Sequence, residues 1–194
     1  MRHFVLGFGY KTAKKTGGFT LIELMVVITI GAMMAATSVY SFNQSNANQL
    51  AISISNNIAA ALRYARAQAV SQSTAVAVCG ASDTTLTACQ TAAGATNWNN
   101  GWIVFLDSNG NGTITSASTQ ILQVYPVGGA QPNITINSTT NPFATYGVFS
   151  STGFPSSNKQ VNLTAHPVGC TGNYGRTIYL AASGRVTISS YTCP

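Results

Sequence analysis

The sequence is short of charge. Only 6% of its 194 residues are charged, against about a quarter in an ordinary globular domain. The acidic side chains are Glu23, Asp83 and Asp107, and the histidines are His3 and His166. Acid–base catalysis or an activated nucleophile needs several such groups close together. We therefore expect no enzyme, no cofactor and no metal site, and the uncharged polar surface that remains suits an exported protein.

The four cysteines also lack a metal-binding pattern. None forms a C-x-x-C pair, and none has a histidine at the spacing of a zinc finger. All four follow residue 42, so export to an oxidising compartment favours two disulfides. Three pairings are possible, and proximity in the sequence favours Cys79 with Cys89 and Cys170 with Cys193.

Positive charge is concentrated at the N-terminus. The formal net charge is +6, yet four of the nine cations precede Gly18. From Phe19 onward, five cations stand against three acids, a balance of +2. Binding of a polyanion must therefore depend on where a few cations lie rather than on the overall field.

An apolar run of membrane length follows the basic residues. Residues 21–42 contain a single charge, Glu23, and about 20 apolar residues suffice to cross a bilayer. The run is longer than the apolar part of a cleaved secretory signal, about 7–15 residues. Basic residues stay on the cytoplasmic side. The sequence thus predicts a single-pass membrane protein with a cytoplasmic N-terminus and a C-terminal domain on the outer side of the membrane.

Helical periodicity continues beyond the apolar run, and strands follow it. Apolar residues recur every three or four positions from Leu50 to Ala69, which predicts one long helix over about residues 20–72. Past Ser73, short runs in which apolar and polar residues alternate are separated by turns rich in Gly, Asn, Ser and Pro. The predicted strands are 74–79, 101–107, 112–116, 120–126, 133–137, 146–150, 160–164, 176–182 and 184–189, and the last two meet at a tight Ser183-Gly184 turn. The fold class is α+β, with the long N-terminal helix packed on an antiparallel β-sheet domain.

The segment Gly18-Phe19-Thr20-Leu21-Ile22-Glu23 resembles the class III signal of type IV pilins and type II secretion pseudopilins. The resemblance implies that a prepilin peptidase cuts between Gly18 and Phe19 and that Phe19 becomes N-methylated. It also implies that Glu23 pairs with the N-terminal amine of a neighbouring subunit, which explains a carboxylate in a run that otherwise suits hydrocarbon.

The resemblance and the hydrophobic pattern together imply four segments. Residues 1–18 are the cleaved leader, 19–42 the transmembrane half of the helix, 43–73 its amphipathic half, and 74–194 the β-rich domain outside the membrane.

Three later stretches extend the resemblance over most of the chain. They are "NNIAAALRYARAQAVSQSTAVAVC", "NWNNGWIVFLDSNGNGTI" and "SGRVTI", and they resemble GspH/FimT-type minor pilins and pseudopilins. The resemblance implies a type IV pilin-like fold and a minor pilin that starts pilus assembly near the tip and so supports twitching motility. A type II secretion pseudopilin is the alternative. The implied partners are other major and minor pilins, prepilin peptidase and the inner-membrane assembly platform. The implied location is the inner membrane, with the C-terminal domain in the periplasm, and then the pilus at the cell surface.

The late cations give DNA as a further alternative partner. Some FimT-type minor pilins are DNA receptors for natural transformation, with a G-R-x-R motif on the last hairpin. Here Thr187 replaces the second arginine. Phosphate neutralisation dominates DNA affinity, so few cations give weak, salt-sensitive binding. The candidate DNA contacts are Lys159, Arg176, Gly184 and Arg185.

The stretch "DSNGNG", residues 107–112, is similar to the start of a calcium loop. Such a loop ends on a glutamate at its twelfth position, where this sequence has Ser118. One carboxylate balances a divalent ion poorly, so we interpret the stretch as an Asn- and Gly-rich turn.

Overall fold

The computed structural model describes residues 17–90, 98–127, 132–136, 146–156, 161–168 and 170–193; the side chains of 37–44, 132, 133, 135 and 136 lie outside this description. The leader up to residue 16 and Lys159 lie outside it as well. The chain divides into two compact units, Met1–Ser41 and Phe42–Pro194.

The long predicted helix is confirmed as α1, Leu21–Ser71, of 51 residues. Thr20 begins it as an N-cap, because its side-chain oxygen accepts a hydrogen bond from the backbone N–H of Glu23 at 3.3 Å. Thr20 and Glu23 have the Thr-x-x-Glu spacing of a capping box. The carboxylate also lies in the first turn, where the partial positive charge of the helix N-terminus stabilises it.

The C-terminus of α1 is closed by a Schellman motif. Thr74 N–H donates to Ala69 O at 3.2 Å, and Ser73 N–H donates to Val70 O at 3.3 Å. Ser73 has the left-handed φ of 50° that this motif requires, a conformation that glycine adopts more easily. The motif turns the chain directly into the first strand.

Eight strands form two antiparallel sheets of four strands each. The first sheet has the order β3-β2-β1-β5 and the second has the order β4-β6-β7-β8. The strands are β1 Val76–Gly80, β2 Gly101–Leu106, β3 Ile121–Pro126, β4 Pro132–Ile136, β5 Tyr146–Phe149, β6 Asn162–Pro167, β7 Gly172–Leu180 and β8 Val186–Cys193.

The core lies where both sheets meet the second half of α1. Ile58 and Leu62 of the helix are fully buried together with Trp102 from the first sheet and Leu163 and Ile178 from the second. The apolar stripe predicted from residue 50 onward is therefore the face that the two sheets cover. The expected antiparallel domain packed on a long helix is confirmed.

The opposite face of the first sheet has a smaller core of its own. Residues alternate along β1, so Cys79 points away from α1 and lies with Phe105 and Leu86 in a second buried cluster. The Cys79–Cys89 disulfide, with a Cα–Cα distance of 5.7 Å, ties the covering loop to this face. The second bridge joins Cys170 to Cys193 across the end of the second sheet.

The strand predicted at residues 112–116 is wrong. This segment has no regular structure and leads into the short helix α2, Ala117–Gln120. Gln120 Oε1 accepts hydrogen bonds from the backbone N–H groups of Thr115 at 2.7 Å and Ser116 at 2.8 Å. The side-chain oxygen of Gln120 thus accepts the hydrogen bonds that these backbone N–H groups would donate to a neighbouring strand.

The last hairpin is confirmed, but its turn is longer than predicted. Leu180 pairs with Val186, so residues 181–185 form the connection. Gly184 N–H donates to Ala181 O at 2.8 Å, and Gly184 has a φ of +77°. This is a turn followed by a left-handed glycine, a common alternative to the two-residue hairpin loop.

A search of the described residues finds no helix both long and apolar enough to cross a membrane. The predicted span, residues 19–42, includes the side chains of 37–42 that lie outside the description, and it stays a prediction.

We predict that Ser73→Gly stabilises the protein by about 0.5–1 kcal/mol, because glycine adopts the left-handed φ of 50° without steric cost. The melting temperature of the full chain in detergent, followed by circular dichroism, should rise by roughly 1–4 °C. Ser71→Gly, two residues earlier in the last helical turn, is the control and should lower it. A fall in the Ser73→Gly variant would contradict the assigned cap.

Candidate functional site

The residues before α1 are open to solvent. Gly18 is exposed, and Phe19 is 83% exposed. A Cβ atom built on Gly18 meets no other atom within 4 Å. None of the described residues therefore shields the peptide bond between Gly18 and Phe19, where the sequence predicts processing.

Residues 21–34 form an apolar surface with one carboxylate in it. Leu21 is 79% exposed, Ile22 67% and Val27 62%, and at 3.6 residues per turn these three side chains point to different sides of the helix. A helix that is apolar all round belongs among lipids or other helices rather than in water. Glu23 is exposed within this surface. It can therefore offer its charge to a neighbouring molecule while its backbone N–H remains bonded to Thr20.

A cleft of about 720 Å³ lies between the second half of α1 and the turn that joins β7 to β8. Arg63 and Arg66 of α1 and Arg185 of the turn are among its lining residues. Its apolar walls are Ala67, Val70 and Val186. We call this the arginine cleft; its chemistry suits an anion.

Arg66 is fixed in the arginine cleft by the glycine turn. Its Nη1 donates a hydrogen bond to Gly184 O at 3.3 Å. A Cβ atom on Gly184 would lie 3.2 Å from Arg66 Cζ and 3.0 Å from Gly153 O. Gly184 is thus required both for its positive φ and for the close approach of the guanidinium group. Its role in the cleft is positional.

None of the residues that line the arginine cleft is acidic. Glu23 lies in the first turn of α1. Asp83 accepts hydrogen bonds from the hydroxyl and backbone N–H of Thr85, and these bonds hold the pKa of its carboxyl below the ordinary value. The guanidinium groups of the cleft therefore have no carboxylate among their lining neighbours.

Asp107, the remaining acid, closes a turn. It is 2% exposed, and its carboxylate accepts backbone hydrogen bonds from Asn111 and Gly112, both at 3.0 Å. Ser118, which would have to complete a calcium loop, lies in α2. The stretch forms the Asn- and Gly-rich turn that the sequence favours.

The structure separates Arg176, one of the DNA-contact candidates, from Arg185. Arg176 Nη2 donates to Asn48 Oδ1 at 2.8 Å, and Nη1 donates to Gly175 O at 2.8 Å. Arg176 lies four residues before the end of β7, about 13 Å at 3.3 Å per residue, and it ties that strand to α1. Lys159 lies outside the described residues.

Sequence reasoning missed Arg63 and Arg66 as partners of Arg185. Their spacing of three places both on one helix face, a signal present in "LRYARA". Nothing local, however, links this face to a turn 118 residues later. The contact depends on the packing of α1 on the second sheet.

One group of side chains in the described chain has the spacing of metal ligands. Potential ligand atoms of His166, Cys170 and Cys193 all lie within 4.8 Å of one another. The cysteines lack a C-x-x-C pattern, so a metal site was not expected from the sequence; the connection to β7 and the end of β8 bring Cys170 and Cys193 to His166.

Comparisons with known proteins agree with the fold and the N-terminal motif. The family model described as "Type II transport protein GspH" matches residues 55–184, more than half of the chain. The model "Prokaryotic N-terminal methylation motif" matches residues 13–39. No curated protein matches the chain.

Two crystal forms of the type IV minor pilin FimU from Pseudomonas aeruginosa have a similar structure. In one, the TM-score is 0.53 at 19% identity, covering 72% of this chain and 87% of FimU. In the other, the TM-score is 0.50 at 20% identity, covering 71% and 90%. At this identity, the likeness shows the fold. Together with the two family models, it establishes that the chain belongs to the GspH family of type IV minor pilins and pseudopilins.

Proposed function

We propose that this protein is a minor pilin of a type IV pilus that is processed by prepilin peptidase and helps to start assembly near the tip. The observation that carries the proposal is the exposed apolar surface of residues 21–34, with Glu23 in it, directly after an accessible Gly18-Phe19 bond. Such a surface needs lipid before assembly and neighbouring helices afterwards.

Assembly then depends on two features of this surface. Gly31, Ala32, Ala35 and Ala36 are small, so neighbouring helices can approach closely and gain packing contacts. Glu23 supplies the specific contact, since a carboxylate in an apolar environment needs a counter-charge. The N-terminal amine of the next subunit, freed by cleavage before Phe19, provides that charge and favours one register between subunits.

We predict that Glu23→Ala and Glu23→Gln both leave the protein in the membrane but reduce its recovery in sheared pili at least about tenfold, the effect of about 1.4 kcal/mol. Glu23→Gln keeps the side-chain shape and removes only the charge. Leu24→Ala, next to it on the same exposed surface, is the control and should be recovered normally. Immunoblots of membranes and sheared pili give the measurement.

Normal recovery of Glu23→Gln in pili would contradict the charge-pairing mechanism. Presence in membranes together with absence from pili, even for the unmodified protein, would instead favour the type II secretion pseudopilin.

We predict that Gly18→Val leaves the leader attached. A Cβ atom at this position meets nothing within 4 Å, so the substitution acts on peptidase recognition rather than on folding. Mass spectrometry of the full chain should show the uncleaved species with an unmethylated Phe19. Gly17→Val, equally free of steric contact, is the control and should be cleaved. Cleavage of the Gly18→Val chain would refute the proposed site.

A second function, binding of DNA during transformation, is favoured by the arginine cleft. Three arginines line it and none of its lining residues is acidic, although the sequence alone placed only Gly184 and Arg185 in that region. Arg63 and Arg66 supply the phosphate contacts that Thr187 cannot. Arg176 is engaged with Asn48 and belongs to the scaffold in this proposal.

We predict that the chain from Phe19 onward, without its basic leader, binds short duplex DNA in detergent with a slope of about −2.7 in log K against log salt, for three phosphate contacts. Arg63→Ala and Arg185→Ala should each reduce the slope to about −1.8. Arg176→Ala removes the same charge outside the cleft and should leave the slope unchanged. Absence of binding at low salt, or equal effects of all three substitutions, would exclude the arginine cleft as a DNA site.

A further inference from the structure

His166, Cys170 and Cys193 meet at one end of the second sheet. His166 lies near the end of β6, Cys170 in the connection to β7, and Cys193 at the end of β8. Cys193 is 6% exposed, while His166 and Cys170 are half-buried. The two sulfurs form a disulfide whose Cα atoms are 5.7 Å apart. One histidine and two cysteines are thus held together with access from solvent.

Two contacts orient the His166 ring. Its Nδ1 lies 3.1 Å from Pro167 O, and the ring stacks on Tyr191 with centroids 5.8 Å apart and planes 22° apart. When Nδ1 carries the proton and donates it to that carbonyl, Nε2 has a free lone pair. A backbone carbonyl on one imidazole nitrogen is the usual support for a metal on the other.

We propose that, before the Cys170–Cys193 disulfide forms, the two thiolates and His166 Nε2 bind zinc(II) and leave a fourth position for water. Thiolate and imidazole are the ligands that zinc prefers. Ligand atoms about 2.0–2.3 Å from a tetrahedral zinc lie roughly 3.3–3.8 Å apart. Atoms within 4.8 Å reach that spacing by small side-chain rotations.

Zinc binding and closure of the bridge use the same two thiols. Zinc binding to the reduced chain releases the two thiol protons. Closure of the bridge then needs a disulfide oxidant such as oxidised glutathione: a sulfur–sulfur bond forms between Cys170 and Cys193, the oxidant's bond breaks, and its two sulfurs take the electrons and two protons. The zinc ion leaves as the thiolates are consumed. Zinc therefore competes with the oxidant for the same two sulfurs.

The Cys79–Cys89 pair is a matched control within the chain. Its Cα–Cα distance is also 5.7 Å. The only histidine besides His166 is His3, in the leader. Both cysteines are buried among apolar residues, including Leu86 and Phe105, which disfavours their thiolates. This pair should bind zinc weakly and close at a rate that zinc does not alter.

The test uses the full chain in detergent, reduced with a phosphine and titrated with cobalt(II) as a spectroscopic substitute for zinc. The Cys79→Ala/Cys89→Ala protein should show a thiolate-to-cobalt absorption band that saturates at one equivalent. Zinc should abolish the band. His166→Phe keeps an aromatic ring to stack on Tyr191 and should weaken binding at least about tenfold. Zinc should also slow closure of the bridge by oxidised glutathione at least about tenfold in the unsubstituted chain.

The reciprocal Cys170→Ala/Cys193→Ala protein should show no such band. Fluorescence of the buried Trp98 and Trp102 reports whether each reduced protein is folded; an unfolded one is refolded with the metal present, and failure to refold with metal counts against the site. A band of equal strength in His166→Phe, no band in the Cys79→Ala/Cys89→Ala protein, or an equal band in the reciprocal variant would overturn the proposal.

Discussion

Burial of one stripe of α1 between two sheets is the interaction on which the folded domain depends. Ile58 and Leu62 are fully buried, and each such side chain contributes about 1.5–3 kcal/mol. Both sheets supply residues to this core, so each sheet covers part of the buried stripe. Two arginine contacts then fix where the helix lies: Arg176 holds Asn48, and Arg66 holds Gly184. They attach the helix to the second sheet at points 18 residues apart, about 27 Å along its axis.

The shortage of charge makes each charged group a specialised one. Asp107 closes a turn with two backbone amides, and Arg176 joins a strand to the helix. Glu23 lies in the first turn of α1, where a carboxylate stabilises the helix N-terminus. Its side chain remains exposed to solvent. The same side chain therefore supports folding of one subunit and, in the proposed function, its pairing with the next. Arg63 and Arg185 are the exposed members of the arginine cleft.

Local pattern was enough to predict the helix, the change to strands after Ser73 and the α+β class, because periodicity and turn residues act over a few positions. It failed at residues 112–116, where alternation indicated a strand but Gln120 takes the backbone donors instead. It also missed the capping box of Thr20 and Glu23, although the spacing was visible. Local pattern could not predict the arginine cleft or the approach of His166 to two cysteines. Both arise when segments distant in the sequence pack together, and such contacts leave no local sequence signal.

The Cys170–Cys193 bridge has a mechanical consequence. β8 is an edge strand and the last one in the chain, so it is the strand most easily peeled from the sheet or exchanged with a neighbouring molecule. The bridge anchors its far end to the connection between β6 and β7, while the hairpin holds its near end. A pull on Cys193 is therefore passed through the bridge to Cys170, and it does not break the β7–β8 hydrogen bonds one at a time from the free end. Reduction of this one bond would leave the hairpin turn as the only covalent restraint on β8.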